Sequence, residues 1–286
     1  MKQKEITVVF HSGVFHADDV FAAAILKKVY PNLKTIRSRD DSIIKKADLR
    51  VDVGRKYDPK TGDFDHHQEN APVRDSGIPY SSCGLIWKHF GKKIVKDKEA
   101  FDYINKKIIE FIDSYDNGIE ITGNKTVVYS IGELIDSFNP SWNEKNLEDL
   151  YFKKAVLIAS KILNREIKKA NSISEGNNIV KEALKKAKDG FVILPIAGLP
   201  KDLITKDKKI LFYIAPGKNK DWVGVGASAK ESGFERKAYF PKKWAGLENK
   251  ELEKASGVVG ARFCHKARFM VAGTKEAVIE MVKKST

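Results

Sequence analysis

The sequence predicts an α/β protein: an N-terminal, largely parallel sheet covered by helices, then a helical connector and a smaller C-terminal α+β domain. Three observations carry this. Short β-branched runs alternate with helical stretches up to Asn117-Gly118, the order that builds parallel sheets with crossover helices. From about 147 to 188 the pattern is helical throughout. After Gly190 come further strand-like runs separated by glycine and asparagine turns, closed by a helix. The domains are therefore placed at residues 1–136, 137–188 and 189–286.

Residues 6–10, ITVVF, are a short apolar run rich in β-branched residues and read as a buried strand. HSGVFHADD (11–19) follows as a loop. VFAAAILKKVY (20–30) suits a packed helix, with Asp18 or Asp19 where an N-cap or first turn favours a carboxylate. KTIRS and ADLRVDVG read as two more strands, and YDPKTGDF carries turn residues between short extended pieces. SSCGLIWKHFG opens on cap-type serines and ends on Gly91, which reads as a helix with a glycine stop. FDYINKKIIEFIDSY has helical spacing. LYFKKAVLIASKILNREIKKA is a long amphipathic helix, and IVKEALKKAKDG a basic one ending at Gly190. FVILPIA, KILFYIAP, WVGVGAS and GARFCHKARFMVAGT supply the C-terminal strands, and KEAVIEMVKK the last helix.

With 42% hydrophobic residues over 286 positions, the chain can bury a core and is no disordered polymer. Its two cysteines, Cys83 and Cys264, have no metal-ligand spacing and read as reduced thiols of a cytoplasmic protein. MKQKEITVVF lacks the apolar stretch of a secretory signal, and no run is long enough to span a bilayer. A net charge of +14 suits a polyanionic partner, because basic surfaces neutralise phosphates. A lysine-rich composition accounts for the same charge, since 43 of the basic residues are Lys and 9 are Arg. The arginines say more: Arg37, Arg39, Arg50, Arg55 and Arg74 all lie beside the motifs below, and Arg makes bidentate phosphate contacts.

Four of the six histidines sit in two short motifs that also bring carboxylates. HSGVFHADD directly follows the first strand, where ligands of open α/β sheets bind. Two imidazoles and a carboxylate there suit Mn²⁺ or Zn²⁺ better than Ca²⁺, although simple capping by Asp18 or Asp19 would explain the same carboxylates. Asp52, inside ADLRVDVG, is costly to bury unless it meets a cation, either a metal or Arg50 or Arg55. FDHHQ (64–68) places a carboxylate before His66 and His67, and such a carboxylate can fix an imidazole tautomer. Together the motifs hold enough ligands for two metals sharing a bridging carboxylate, an arrangement that activates water and clamps an in-line phosphoryl displacement.

HSGVFHADDVFAAAIL, VDVGRKYDPKTGDFDHHQ, PYSSCGLIW and IDSYDNGI resemble the melanocyte-proliferating-gene family, within the wider DHH phosphoesterase superfamily. SGVVGARFCHKARFMVAGTKEA resembles that family's C-terminal signature, so the similarity runs nearly end to end. The resemblance implies a DHH phosphoesterase-like first domain holding two divalent ions, Mn²⁺ or Mg²⁺, and 3′–5′ exonuclease activity chiefly on RNA. It implies His11, His16 and Asp52 on one metal, and Asp18, Asp52, His66 and either Asp113 or Asp116 on the other, with Asp113 slightly preferred. His67 would face the substrate phosphate. His16 stands where the superfamily commonly has a carboxylate, with one extra residue of spacing, which lowers the site's negative charge.

Arg262 and His265, with Phe263 and Phe269 nearby, are the candidates for substrate contacts, and a plain surface hairpin explains them as well. The expected activity is thus metal-dependent hydrolysis of single-stranded RNA. Pyrophosphate or short and cyclic dinucleotides are rival substrates for the same chemistry. A metal-stabilised RNA-binding protein without turnover is the rival of another class, but a structural site closes at four ligands and this one offers more. A protein hydrolase would be expected to show HExxH, which is missing from the sequence.

Overall fold

The computed structural model describes residues 4–119, 129–230 and 233–285. It divides into two compact units, Met1–Asn171 and Ser172–Thr286, and each is built on a five-stranded sheet. The first sheet comprises β1 (Ile6–Phe10), β2 (Leu33–Arg37), β3 (Leu49–Val51), β4 (Tyr57–Asp58) and β5 (Asp63–Phe64), in the order β2-β1-β3-β5-β4. All neighbours are parallel except β4, which turns back on β5. Val8, Val9 and Phe10 of β1 are fully buried, as expected for a central strand covered on both faces.

Helix α1 (Ala17–Val29) carries the chain from β1 to β2, and the single turn α2 (Asp41–Ile44) lies between β2 and β3. Every residue from Ala17 to Leu26 is buried, so α1 is a central helix and not an amphipathic surface one. It packs along α3 (Ser82–Ile94). Gly91 lies inside α3 instead of ending it, which corrects the expected glycine stop. A Cβ at Gly91 would fall 2.7 Å from the Trp87 ring and 2.8 Å from Phe101, two rings stacked at 5.1 Å. Packing demands this glycine, and no chain reversal does. Then α4 (Lys98–Ile104), a π-helical turn (Asn105–Ile109) and α5 (Glu110–Asp116) follow one another without a break, and α6 (Ile131–Asp136) comes later in the unit.

Helix α7 (Glu148–Lys185) is one helix of 38 residues where the sequence suggested two. The polar stretch NSISEGNN stays helical because both flanks are packed: Ile167 and Ala170 in the first unit's core, Val180 in a core of the second. Extending a helix across a short polar gap costs less than creating two new ends. The division between units accordingly falls within α7, at 171/172, and not near residue 188. Side chains such as Val180 bury with Val192, Leu194 and Ile210.

The second sheet comprises β6 (Phe191–Ile193), β7 (Phe212–Pro216), β8 (Trp222–Gly226), β9 (Ala261–His265) and β10 (Phe269–Ala272), in the order β6-β7-β8-β10-β9. Only β6 and β7 run parallel. The helices of this unit beyond α7 are α8 (Asp202–Lys206), α9 (Asn249–Ser256) and α10 (Lys275–Lys283). Cys83 and Cys264 are buried and unbridged. Among the described residues no helix is long and apolar enough to cross a membrane.

Candidate metal centre

The parallel sheet brings the three motifs to one edge. His11 follows β1, Asp52 follows β3, and His66 and His67 follow β5, all beyond the strands' carboxyl ends, where parallel sheets place their ligands. The loop between β1 and α1 is pinned by side chains from elsewhere. Arg37 donates to the Gly13 carbonyl at 2.6 Å, and Arg39 to the Ser12 carbonyl at 3.3 Å. Asn139 accepts from the Phe15 N–H at 2.9 Å and donates to the Phe15 carbonyl at 2.8 Å. The loop after β3 is strained: Asp52 and Arg55 are left-handed, with φ 55° and 54°. Each such non-glycine residue costs on the order of 1 kcal/mol and persists only where the surroundings hold it.

Asp52 is the hub. Its Oδ2 lies 3.2 Å from His11 Nε2 and its Oδ1 lies 3.3 Å from His66 Nε2, so the two oxygens serve opposite sides of the cluster. Ser82 at the start of α3 donates to Oδ1 at 3.0 Å. On one side, His11 Nε2 sits 2.9 Å from Asp19 Oδ2. On the other, His66 Nε2 sits 3.2 Å from Asp116 Oδ2. Three groups of ligand-type atoms each fit within 4.8 Å: His11, His16, Asp19 and Asp52; Asp52, His66 and His67; and His16, Asp18 and Asp116. His16 and His67 are the two exposed rings of the set, and His67 is the one tied to Asp65. Asp65 Oδ1 lies 2.7 Å from its Nδ1 and accepts its backbone N–H at 3.1 Å, which leaves Nε2 as the unengaged ring nitrogen. A cavity of about 1020 Å³ opens over the cluster, with Arg39 and Arg55 among its lining.

The charge balance shows what this arrangement wants. Asp18 is fully buried, and neither of its oxygens has a hydrogen-bond donor of acceptable geometry among the described residues. Burial, reinforced by the carboxylates of Asp52, Asp116 and Asp19, pushes its carboxyl well above the usual range, and the Asp19 amide is the least of the influences on it. Burial likewise pushes Asp116 up to about 6 against the pull of His66. Burial pulls the His11 imidazole down, but Asp19 and Asp52 outweigh it and raise it to about 10. Asp52, penalised by the same burial, is held far below its ordinary value by His11 and His66. Without a cation the cluster must keep protons on groups that would otherwise ionise, and an orphaned buried carboxylate is costly. Divalent cations remove that conflict, and imidazole plus carboxylate is a donor set suited to Mn²⁺, Zn²⁺ or Mg²⁺. The residues fit the metals that the motifs implied.

Two placements differ from the sequence expectation. The carboxylate of Asp113 is turned to a buried partner: Arg74 donates to its Oδ2 at 2.5 Å, and Ser81 donates to Oδ1 through its amide at 3.0 Å and its hydroxyl at 2.6 Å. Gly84 faces this carboxylate so closely that a Cβ would overlap both oxygens. Asp116, one turn further along α5, reaches the cluster instead. The second difference is Asp19. It joins the first ligand group while its Oδ2 also accepts the His16 N–H at 3.1 Å. Asp19 thus both caps the start of α1 and joins the cluster. Arg262 and His265 belong to the second unit. Arg262 is ion-paired with Asp221, and His265 stacks on Phe269 at 5.0 Å with its Nδ1 buried and unbonded.

Residues 7–286 match the model of the MYG1 exonuclease family, described as uncharacterised protein family UPF0160. The chain belongs to the MYG1 family. Every residue of the cluster lies inside the matched span, and so does the β9–β10 hairpin. Among the relatives, a MYG1 protein of Chlamydia pneumoniae is 31% identical over 92% of this chain and 90% of its own. A MYG1 protein of Dictyostelium discoideum is 30% identical over 98% and 96%. The human relative, named MYG1 exonuclease, is 26% identical over 96% and 84%.

Proposed function

We propose that this MYG1 protein is a phosphoesterase requiring two divalent metal ions, Mn²⁺ or Mg²⁺, and acting as a 3′–5′ exonuclease on single-stranded RNA. The observation that carries the reading is Asp52, whose two oxygens face two imidazole–carboxylate groups beneath an open cavity. One ion is assigned to His11, His16, Asp19 and Asp52, and the other to Asp52, His66, Asp18 and Asp116, with His16 near both. Asp19 and Asp116 take the places that sequence reasoning left unnamed or undecided. The name of the mammalian relatives, MYG1 exonuclease, supports a nucleic-acid substrate.

Bound there, the cations supply Lewis-acid activation of water and of phosphoryl oxygens. The chain supplies the rest. Asp65 fixes the His67 ring through Nδ1, so Nε2 is the nitrogen that meets substrate, bonding a phosphoryl oxygen or handing a proton to the leaving oxygen. Ser82 holds the rotamer of Asp52. The strained backbone at Asp52 and the pinned loop around His11 keep the donor atoms in place before substrate arrives. Arg262 and His265 are assigned to polymer contacts, the exposed guanidinium to phosphate and the stacked imidazole to a base.

The test is turnover of end-labelled single-stranded RNA, with pyrophosphate and a cyclic dinucleotide in parallel, across Mn²⁺, Mg²⁺ and Zn²⁺, together with elemental analysis. We expect about two ions per chain, RNA shortened from its 3′ end, and no turnover after chelation. Full activity in exhaustively chelated protein would sink the reading. Preference for pyrophosphate would replace the substrate and keep the chemistry.

A further inference from the structure

The arginines clustered beside the motifs have different tasks in the fold. Arg37 packs against Phe15 and Phe152 and pairs with Asp149. Arg50 pairs with Asp63, and Arg74 with Asp113. Arg39 and Arg55 have no carboxylate partner among the described residues, and both are exposed on the wall of the cavity over the cluster. Among the described residues no lysine lines that cavity, and Asp41 is the one lining carboxylate outside the cluster and its Asp65 support.

Each of the two is tied to a different side of Asp52. Arg39 donates through Nε to the Ser12 carbonyl, and its Nη2 lies 3.3 Å from His11 Nδ1, beside the His11–Asp19 contact. Arg55 gives its backbone N–H to Asp65 Oδ2 at 2.6 Å, while Asp65 Oδ1 holds the His67 ring at 2.7 Å. One carboxylate therefore sets the positions of both Arg55 and His67, which explains why Arg55 tolerates a left-handed backbone.

We propose that Arg39 and Arg55 are two phosphate seats, one on each side of Asp52, that hold non-scissile backbone phosphates of the strand on the 5′ side of the cut. The site thereby selects chains of nucleotides over isolated phosphoesters. This rests on the phosphoesterase reading and narrows its substrate class. A cavity of about 1020 Å³ is at the upper end of small-molecule sites, roughly 300–1,000 Å³, and has room for more than one phosphate group. A guanidinium with no carboxylate partner matches the planar, bidentate geometry of a phosphodiester.

The experiment uses the metal-loaded full chain with Arg39→Ala and Arg55→Ala, and the Lys replacements as conservative controls. Three readouts are compared: hydrolysis of a tetraribonucleotide and of bis(p-nitrophenyl) phosphate, anisotropy of the fluorescein-labelled tetraribonucleotide, and metal content. We expect metal content to be retained. We also expect the loss in kcat/KM on the tetranucleotide to exceed that on the small diester by about tenfold or more, chiefly through KM, as for lost charge-assisted contacts. A neutral methylphosphonate in place of one flanking phosphate should weaken wild-type binding and have little further effect in the variant lacking that phosphate's partner. Proportional losses on both substrates, or equal methylphosphonate sensitivity in all proteins, would overturn the proposal. If the wild type hydrolyses neither substrate, the phosphoesterase reading fails, and the anisotropy still decides the seats: unchanged affinity in both Ala variants refutes them.

Discussion

Replacing Asp113 by Asn separates a buried ion pair from a metal ligand. The Asp113 side chain is wholly buried, its partner Arg74 is 7% exposed, and the two share a short contact. Removing one partner of such a pair leaves an uncompensated charge, at a cost of about 3–5 kcal/mol. Asn keeps an oxygen for the Ser81 amide and hydroxyl, and Arg74 retains Asn105 and the Tyr80 ring, which places the expected loss at the lower end. For a unit of this size about 3 kcal/mol corresponds to a Tm lowered by roughly 10 °C. Metal content should be unchanged. Asp116→Asn should do the opposite. It removes a carboxylate that burial and Asp52 already disfavour in its charged form, so the chelated protein should melt normally or higher while metal uptake falls. Calorimetry in chelator and elemental analysis of reloaded protein measure both. An Asp113→Asn protein that melts normally and loses its metal would refute the reasoning and restore Asp113 as a ligand.

Asp52→Asn should lower metal content and cost at least about a hundredfold in rate; a well-folded variant with wild-type turnover removes Asp52 from its bridging place. His66→Ala should lose metal, whereas His67→Ala should keep it and turn over slowly, and calorimetric metal titration of both variants reads the difference. The pH dependence of stability should reverse with metal. His11 in the folded, metal-free chain titrates near 10 against 6.5 unfolded. Its contribution is complete below 6.5 and declines as the pH rises toward 10. Asp116 is likewise raised, from 3.8 to about 6, so its protonated form favours the folded state at low pH and that advantage fades between those values. The chelated protein should therefore lose Tm from pH 6.5 to 8.5. The metal-loaded protein should gain over the same range, because ligands bind deprotonated. Parallel trends with and without metal would count against a cation in this cluster.

The chemistry was readable from local sequence because its ligands come in short motifs attached to strand ends. A β-branched run followed by two histidines and two carboxylates, an aspartate closing a strand, and the Asp-His-His triplet each name their residue types without reference to the fold. The parallel order of β2, β1 and β3 follows from alternation of strands and helices, whereas β5 comes parallel to β3 by way of the short reversed strand β4; together they bring the three motifs to one edge. Gly91 does not end its helix as its type suggests, because a glycine that ends a helix and one that admits an aromatic ring look alike in sequence. The two expected helices are one in α7, because helix continuity depends on packing at both flanks.

Sequence alone determined the α/β class, the motifs from His11 to His67, the family, and the chemistry of a carboxylate-rich, imidazole-rich centre, because residue type and strand-end position suffice for those. Tertiary structure decided between Asp113 and Asp116. The two stand three residues apart on one helix, and only the partner that each meets, Arg74 and Ser81 or His66, distinguishes a buried ion pair from a cluster carboxylate. It also brought Asp19 into the cluster and sorted five similar arginines into three with carboxylate partners and two facing the cavity. Those assignments depend on contacts between residues distant in the chain, and no local pattern of residue types records which long-range neighbour a charge will find.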